Sequence, residues 1–211
     1  MSDTNALLSL PLFPLGAVLF PGGLMPLQIF EVRYLDMISR CHKAGAPFGI
    51  VSLRKGKEVR KAGSDAEQFS TIGTLARIEQ LERPQPGLMV IRCVGLQRFH
   101  IQRCEQLKHG LWIGDVQRIE EDRSVPVPED LQPAARALQQ LLDTLRDRGH
   151  DEDMLPLQPP LRLDDCGWLA NRWCELLPLP LQLKQQLMEL DNPLVRLELV
   201  ADFLNRAQIA G

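Results

Sequence analysis

Hydrophobic positions recur every second residue in the first part of this chain and every third or fourth in the rest. The first long stretch fits neither period. Residues 10–34, LPLFPLGAVLFPGGLMPLQIFEVRY, are almost wholly apolar, with no charged residue between Asp3 and Glu31. About 20 such residues could cross a bilayer as a helix. Pro11, Pro14, Pro21 and Pro26 argue against that, because each removes a backbone donor and fixes φ, and Gly16, Gly22 and Gly23 lie among them. A helix interrupted so often leaves polar backbone unsatisfied in lipid. The pattern predicts extended segments at 8–10 and 25–30, joined by a turn at Phe20-Pro21-Gly22-Gly23.

A helix is predicted over 31–44, where Phe30, Tyr34, Met37, Ile38 and Cys41 form one stripe and Gly45 and Pro47 end it. Strands follow at 48–53 and 69–81, separated by a polar excursion over 55–68; residues 72–74 read as strand or bulge. A turn at 83–87 leads into an apolar central strand, 88–94, which Gly95 breaks. Residues 98–103 alternate, Phe99 and Ile101 inward, His100 and Gln102 outward. A turn at 108–110 precedes a last strand at 111–119. Six or seven short strands at this spacing suggest a partly closed barrel or a sandwich.

The rhythm changes at Glu120. Charged residues and Val125-Pro126-Val127-Pro128 form a stiff connection, so the expected division is a β-rich domain at 1–121 and a helical one at 122–211. A helix over 129–148 carries Leu131, Ala134, Ala135, Leu138, Leu141, Leu142 and Leu145 on one face, and Gly149 closes it. Beyond a connector at 151–160, Asp164 or Asp165 can cap a helix with the stripe Leu169, Trp173, Leu176 and Leu177. Pro180 opens a short helix with Leu183, Leu187 and Leu190. Asn192 and Pro193 open the last, with Leu194, Leu197, Ala201 and Leu204. Four such stripes can bury one another or dock on the strands.

The residues Leu10-Pro11-Leu12-Phe13-Pro14, Leu19-Phe20-Pro21-Gly22, Pro26-Leu27 and Ile29-Phe30-Glu31 with Arg33-Tyr34 resemble the N-terminal, substrate-binding domain of the ATP-dependent Lon proteases. Gly95, Arg98-Phe99 and Ile101 extend the match, as do Leu177-Pro178-Leu179, Lys184-Gln185, Leu187, Glu189, Asn192-Pro193 and Arg196-Leu197. The resemblance implies an α+β chain: a PUA-like pseudo-β-barrel with one helix, then a four-helix bundle. It also implies a non-catalytic module that binds unfolded or apolar polypeptide segments, or docks a partner protein.

Composition adds constraints. The hydrophobic fraction is 45% and the net charge −3, which gives no global attraction for nucleic acid. Arg54, Lys55, Lys57, Arg60 and Lys61 are basic, but acids intervene and no aromatic residue is interleaved for base stacking. RNA binding nonetheless stays open as an alternative, since PUA-like folds in other families bind RNA. The opening residues lack a secretory pattern, and five irregularly spaced cysteines do not suggest a disulfide framework, so a cytoplasmic location is expected. No GxxxxGK[ST] loop occurs, and 211 residues leave no room for the ATPase and serine-lysine peptidase modules of complete Lon proteases. Cys41-His42 and Cys104 with His109 lack the paired spacings of a zinc site. No catalytic residue, metal or cofactor is therefore assigned; a small enzyme with a scattered site is the other alternative. Phe20, Leu24 and Met25 flank the predicted turn and are the candidate polypeptide contacts, although the same residues also read as core.

Overall fold

The computed structural model describes residues 5–55, 67–148, 157 and 159–209. Contacts cluster in two compact units, Met1–Glu121 and Asp122–Gly211. The chain is α+β, with a mostly antiparallel sheet in the first unit.

The first unit contains strands β1 (Ala6–Leu15), β2 (Leu24–Ile29), β3 (Phe48–Lys55), β4 (Gln68–Phe69), β5 (Ile72–Gln85), β6 (Leu88–Gln106) and β7 (Trp112–Arg118), with helix α1 (Val32–Ala44) between β2 and β3. The order β1-β7-β6-β5-β3 closes into a ring because β1 also pairs with β3, in parallel. Leu10, Leu12, Val51, Leu75, Phe99, Ile101 and Val116, drawn from all five strands, fill it. Pro11 pairs only with β7 and Pro14 only with β3, so each proline has a strand on one side alone, where a missing N–H is tolerated. A second core lies between α1 and the sheet and includes Phe13, Leu15, Ile29, Tyr34, Ile38, Phe48 and Ile91.

Four expectations change. Gly95 does not end a strand: β6 runs for 19 residues straight through it. The hairpin before β6 is tighter than 83–87, since Gln85 pairs with Leu88 and Gly87 turns at φ 79°. The strand expected over 69–81 is two, broken at Ser70 and Thr71. Phe30 leaves the helical stripe, because Glu31 is the N-cap and α1 starts only at Val32; Phe30 is 55% exposed. The rest of that stripe is buried, and Gly45 ends the helix in the left-handed region at φ 60°. Most of the excursion at 55–68, and Gly149 with most of the connector at 151–160, lie outside the described residues.

The second unit holds α2 (Gln132–Asp147), α3 (Cys166–Leu176), α4 (Leu181–Glu189) and α5 (Pro193–Arg206), with a short 3-10 turn, Glu129–Leu131, ahead of α2. Of the two candidate caps it is Asp165 that opens α3, accepting from the Trp168 amide at 2.8 Å. Asn192 caps α5 by accepting from Leu194 and Val195. Helix α3 packs against α2, α4 and α5. Arg196 is buried among them, its guanidinium donating to Asp122, Asn171 and the carbonyls of Leu187 and Leu190.

Candidate functional site

Backbone hydrogen bonds fix the turn at 20–23 to the sheet. The Gly23 amide donates to Phe20 O at 3.0 Å, with Pro21 at the second position and Gly22 at φ 74° in the third, as a type II turn requires. The Gly22 amide donates to Gly95 O and the Gly95 amide to Gly23 O, both at 2.8 Å. A Cβ on Gly95 would lie 2.1 Å from Phe20 O, so only glycine permits this approach. Thr74 adds a hydroxyl bond to Leu19 O at 2.6 Å. This anchoring sets where β2 begins.

Strand β2 pairs with β6 from Leu24 opposite Val94 to Ile29 opposite Met89, and with no other strand among the described residues. Among the described residues no strand pairs with its outer edge. The free edge of β5 beyond Ala76 is open too, but there Arg77, Glu79, Glu82, Arg83 and Pro84 and two bulges guard it, as edges usually require. Strand β2 has no charged residue, only Pro26.

Beside β2 lies a cleft of about 260 Å³ lined by Phe13, Leu15, Pro26, Leu27, Ile29, Phe30 and Tyr34, with Gln28 and Glu31 as the polar contributions. Phe13 and Tyr34 stack within it, ring centres 4.0 Å apart. Val32, two residues beyond Phe30, is 74% exposed. The helix start is clamped by Arg33, which donates to Glu31 (3.1 Å), Glu67 (3.0 Å) and Gly110 O (2.7 Å) and lies 4.5 Å over the Tyr34 ring. Trp112 donates to the second Glu67 oxygen at 2.7 Å. Burial pulls the Arg33 pKa down, but Tyr34, Glu67 and Glu31 outweigh it and hold the value above that of an ordinary arginine, so the clamp stays charged.

Of the three candidate contacts, Phe20 lies in the core. It is 0% exposed, because the Gly95 contact draws its turn onto β6. Leu24 and Met25 are half-buried on β2, Met25 against the core. The residues that line the cleft, among them Leu27 and Phe30, are not among these three. A proline inside an alternating strand was the available signal, because it marks an edge.

Burial raises the pKa of every cysteine, Cys93 and Cys174 to about 12, so all remain thiols at neutral pH. Among the described residues no group of three or more His, Cys, Asp or Glu side chains is placed to hold a metal ion, and no helix is long and apolar enough to cross a membrane. What β2 and its cleft can do is receive an extended backbone and an apolar side chain.

Comparison with known proteins bears on the family and the fold. The family model described as the ATP-dependent protease La (LON) substrate-binding domain matches residues 9–206. A Lon protease of Anaeromyxobacter dehalogenans is 27% identical over 93% of this chain and 23% of its own length. One from Brevibacillus choshinensis is 25% identical over 97% and 26%. The chain thus spans about a quarter of the curated relatives it matches. Among solved structures, a Lon N-terminal domain protein from Xanthomonas campestris has 30% identity and a TM-score of 0.71, covering 93% of this chain and 98% of its own. The N-terminal domain of a Mycobacterium avium complex Lon protease, 19% identical with a TM-score of 0.59 over the same shares, has the same fold.

Proposed function

Because this chain belongs to the LON substrate-binding domain family, we propose that it is a non-catalytic module that holds apolar segments of other polypeptides at β2 and the adjoining cleft. One observation carries the reading. An uncharged open strand edge runs beside an apolar cleft on which Phe30 stands exposed, a combination that soluble domains otherwise blunt. Unfolded chains expose both groups such a surface accepts: backbone amides and large apolar side chains. Leu24, Met25, Leu27 and Phe30 are the contacts, with flexible Met25 adapting to different sequences. Holding such a segment for a proteolytic machine is the adaptor role we assign. Within this reading the closed ring of five strands is a PUA-like pseudo-barrel, and the helices gathered on α3 are a bundle.

The test is a titration with a reduced, carboxymethylated model protein and with its native form, followed by fluorescence anisotropy. Binding of the unfolded form alone is expected. Phe30→Ser, at an exposed position that leaves the core intact, should weaken it by about tenfold, the equivalent of one partly buried aromatic contact (about 1.4 kcal/mol). Undiminished binding by Phe30→Ser and Leu27→Ser together would move the site elsewhere.

A further inference from the structure

Resting on the reading of β2 as a polypeptide site, we infer that the bound segment adds to β2 as a further β-strand, places one large apolar side chain in the cleft, and carries a basic residue opposite Glu31.

The backbone argument starts from Pro26, paired with Arg92 of β6. Proline has no N–H, so it fits this ladder only where its nitrogen points away from β6. In an antiparallel pair both backbone groups of a residue face the same side, and successive residues alternate. Met25 and Leu27 therefore face β6. The Cys93 thiol, 3.3 Å from Met25 O, lies on that side. Leu24 and Gln28 then present N–H and C=O outward, and Pro26 presents C=O. That is the two-residue period an added strand needs.

The cleft sets the side-chain requirement. At about 260 Å³ it is smaller than the pockets of roughly 300–1,000 Å³ that enclose drug-sized ligands. Its size suits a single side chain, and its aromatic and aliphatic walls select phenylalanine, leucine or a similar group.

Charge fixes the third element. Among the described residues one guanidinium, Arg33, serves two carboxylates, Glu31 and Glu67, so the cluster they form at the end of β2 is net negative. Glu67 spends both oxygens, on Arg33 and Trp112. Glu31 spends only Oε2, and its side chain is 21% exposed beside the cleft. Oε1 is left to a cation on the incoming segment. A basic residue flanking an apolar one complements this end of the strand, whereas an acidic one meets a like charge.

The probe is a blocked octapeptide alternating valine and threonine, with one central phenylalanine and one terminal lysine. Amide exchange of the protein is read by NMR with and without it. Strand addition predicts that the Leu24 and Gln28 amides exchange quickly in the free protein and at least tenfold more slowly in the complex. The Met25 and Leu27 amides, already paired, should be protected in both. Binding that leaves Leu24 and Gln28 as fast as before overturns strand addition while leaving the polypeptide-binding reading in place; no binding of either peptide or unfolded protein removes both. Replacing lysine by norleucine should weaken binding to the native protein three- to tenfold and make no difference in Glu31→Gln. An equal lysine preference in both proteins overturns the role of Glu31.

Discussion

Gly95 is where a single added methyl group should do most damage. Alanine there would put Cβ at 2.1 Å from Phe20 O and 3.0 Å from Leu19 Cγ. Ordinary carbon–oxygen contacts begin near about 3.3 Å, so the turn at 20–23 must retreat by about 1.2 Å. Both hydrogen bonds between this turn and Gly95 are 2.8 Å long, and such a shift breaks them. Each contributes about 0.5–1.5 kcal/mol, and forcing the methyl group into a packed site adds about 1–3 kcal/mol. Gly95→Ala should therefore destabilise the first unit by about 2–6 kcal/mol. Gly87→Ala is the control: φ is +79° but nothing lies within 4 Å of the new Cβ, so only the left-handed backbone is penalised, by about 1–2 kcal/mol. Urea unfolding measures both. Amide exchange at Gly22 and Gly95 shows whether the loss is local to the turn, and polypeptide binding should fall with it because β2 starts there. If Gly95→Ala is no more damaging than Gly87→Ala, or if the Gly22 amide stays protected, the anchoring described for β2 is wrong.

The second unit and the thiols give further expected outcomes. Arg196→Met should cost about 3–5 kcal/mol, because it leaves Asp122 and the carbonyls of Leu187 and Leu190 without the buried cation they share; chemical denaturation monitored at Trp168 and Trp173 measures it. Burial pushes the Glu175 carboxyl up to about 7 from an ordinary 4.5, against the pull of Arg172 and Lys184. The folded state thus holds a proton that the unfolded state has released, so stability from this group is full below pH 4.5 and falls as pH rises toward 7. Glu175→Gln should flatten that part of the stability–pH curve, and an unchanged slope would contradict the cause given. Iodoacetamide at pH 8 should modify exposed Cys104 alone in the folded protein and all five cysteines in denaturant, as read by mass spectrometry.

Periodicity made much of this architecture legible. The buried face of α1, the Asn192-Pro193 start of α5 and the inward Phe99 and Ile101 all follow from spacing and capping chemistry, which are local. The misses are places where a distant partner decides. Gly95 reads as a strand breaker until Phe20 O is known to press on it. Phe30 fits the helical period, and Glu31, which makes no side-chain capping bond, gives no hint that the helix starts after it. The burial of Arg196 has no local signal, because Asp122 and Asn171 are far away in sequence. The candidate contacts gather at the turn for the same reason: hydrophobicity selects Phe20, but the contact with Gly95 buries it, and an exposed aromatic lies ten residues on. The parallel pairing of β1 with β3, which closes the ring, is likewise a long-range event that no local pattern encodes.

The most direct measurement compares photocrosslinking from two exposed apolar positions. A benzophenone side chain replaces Phe30, 55% exposed, or Leu8, 77% exposed. Each protein is irradiated with an unfolded client and with the same client folded. Labelling should be strong from position 30 with the unfolded client only, and at background from position 8 despite its greater exposure. Equal labelling from both positions, or equal labelling of folded and unfolded client from position 30, would contradict a polypeptide site at β2.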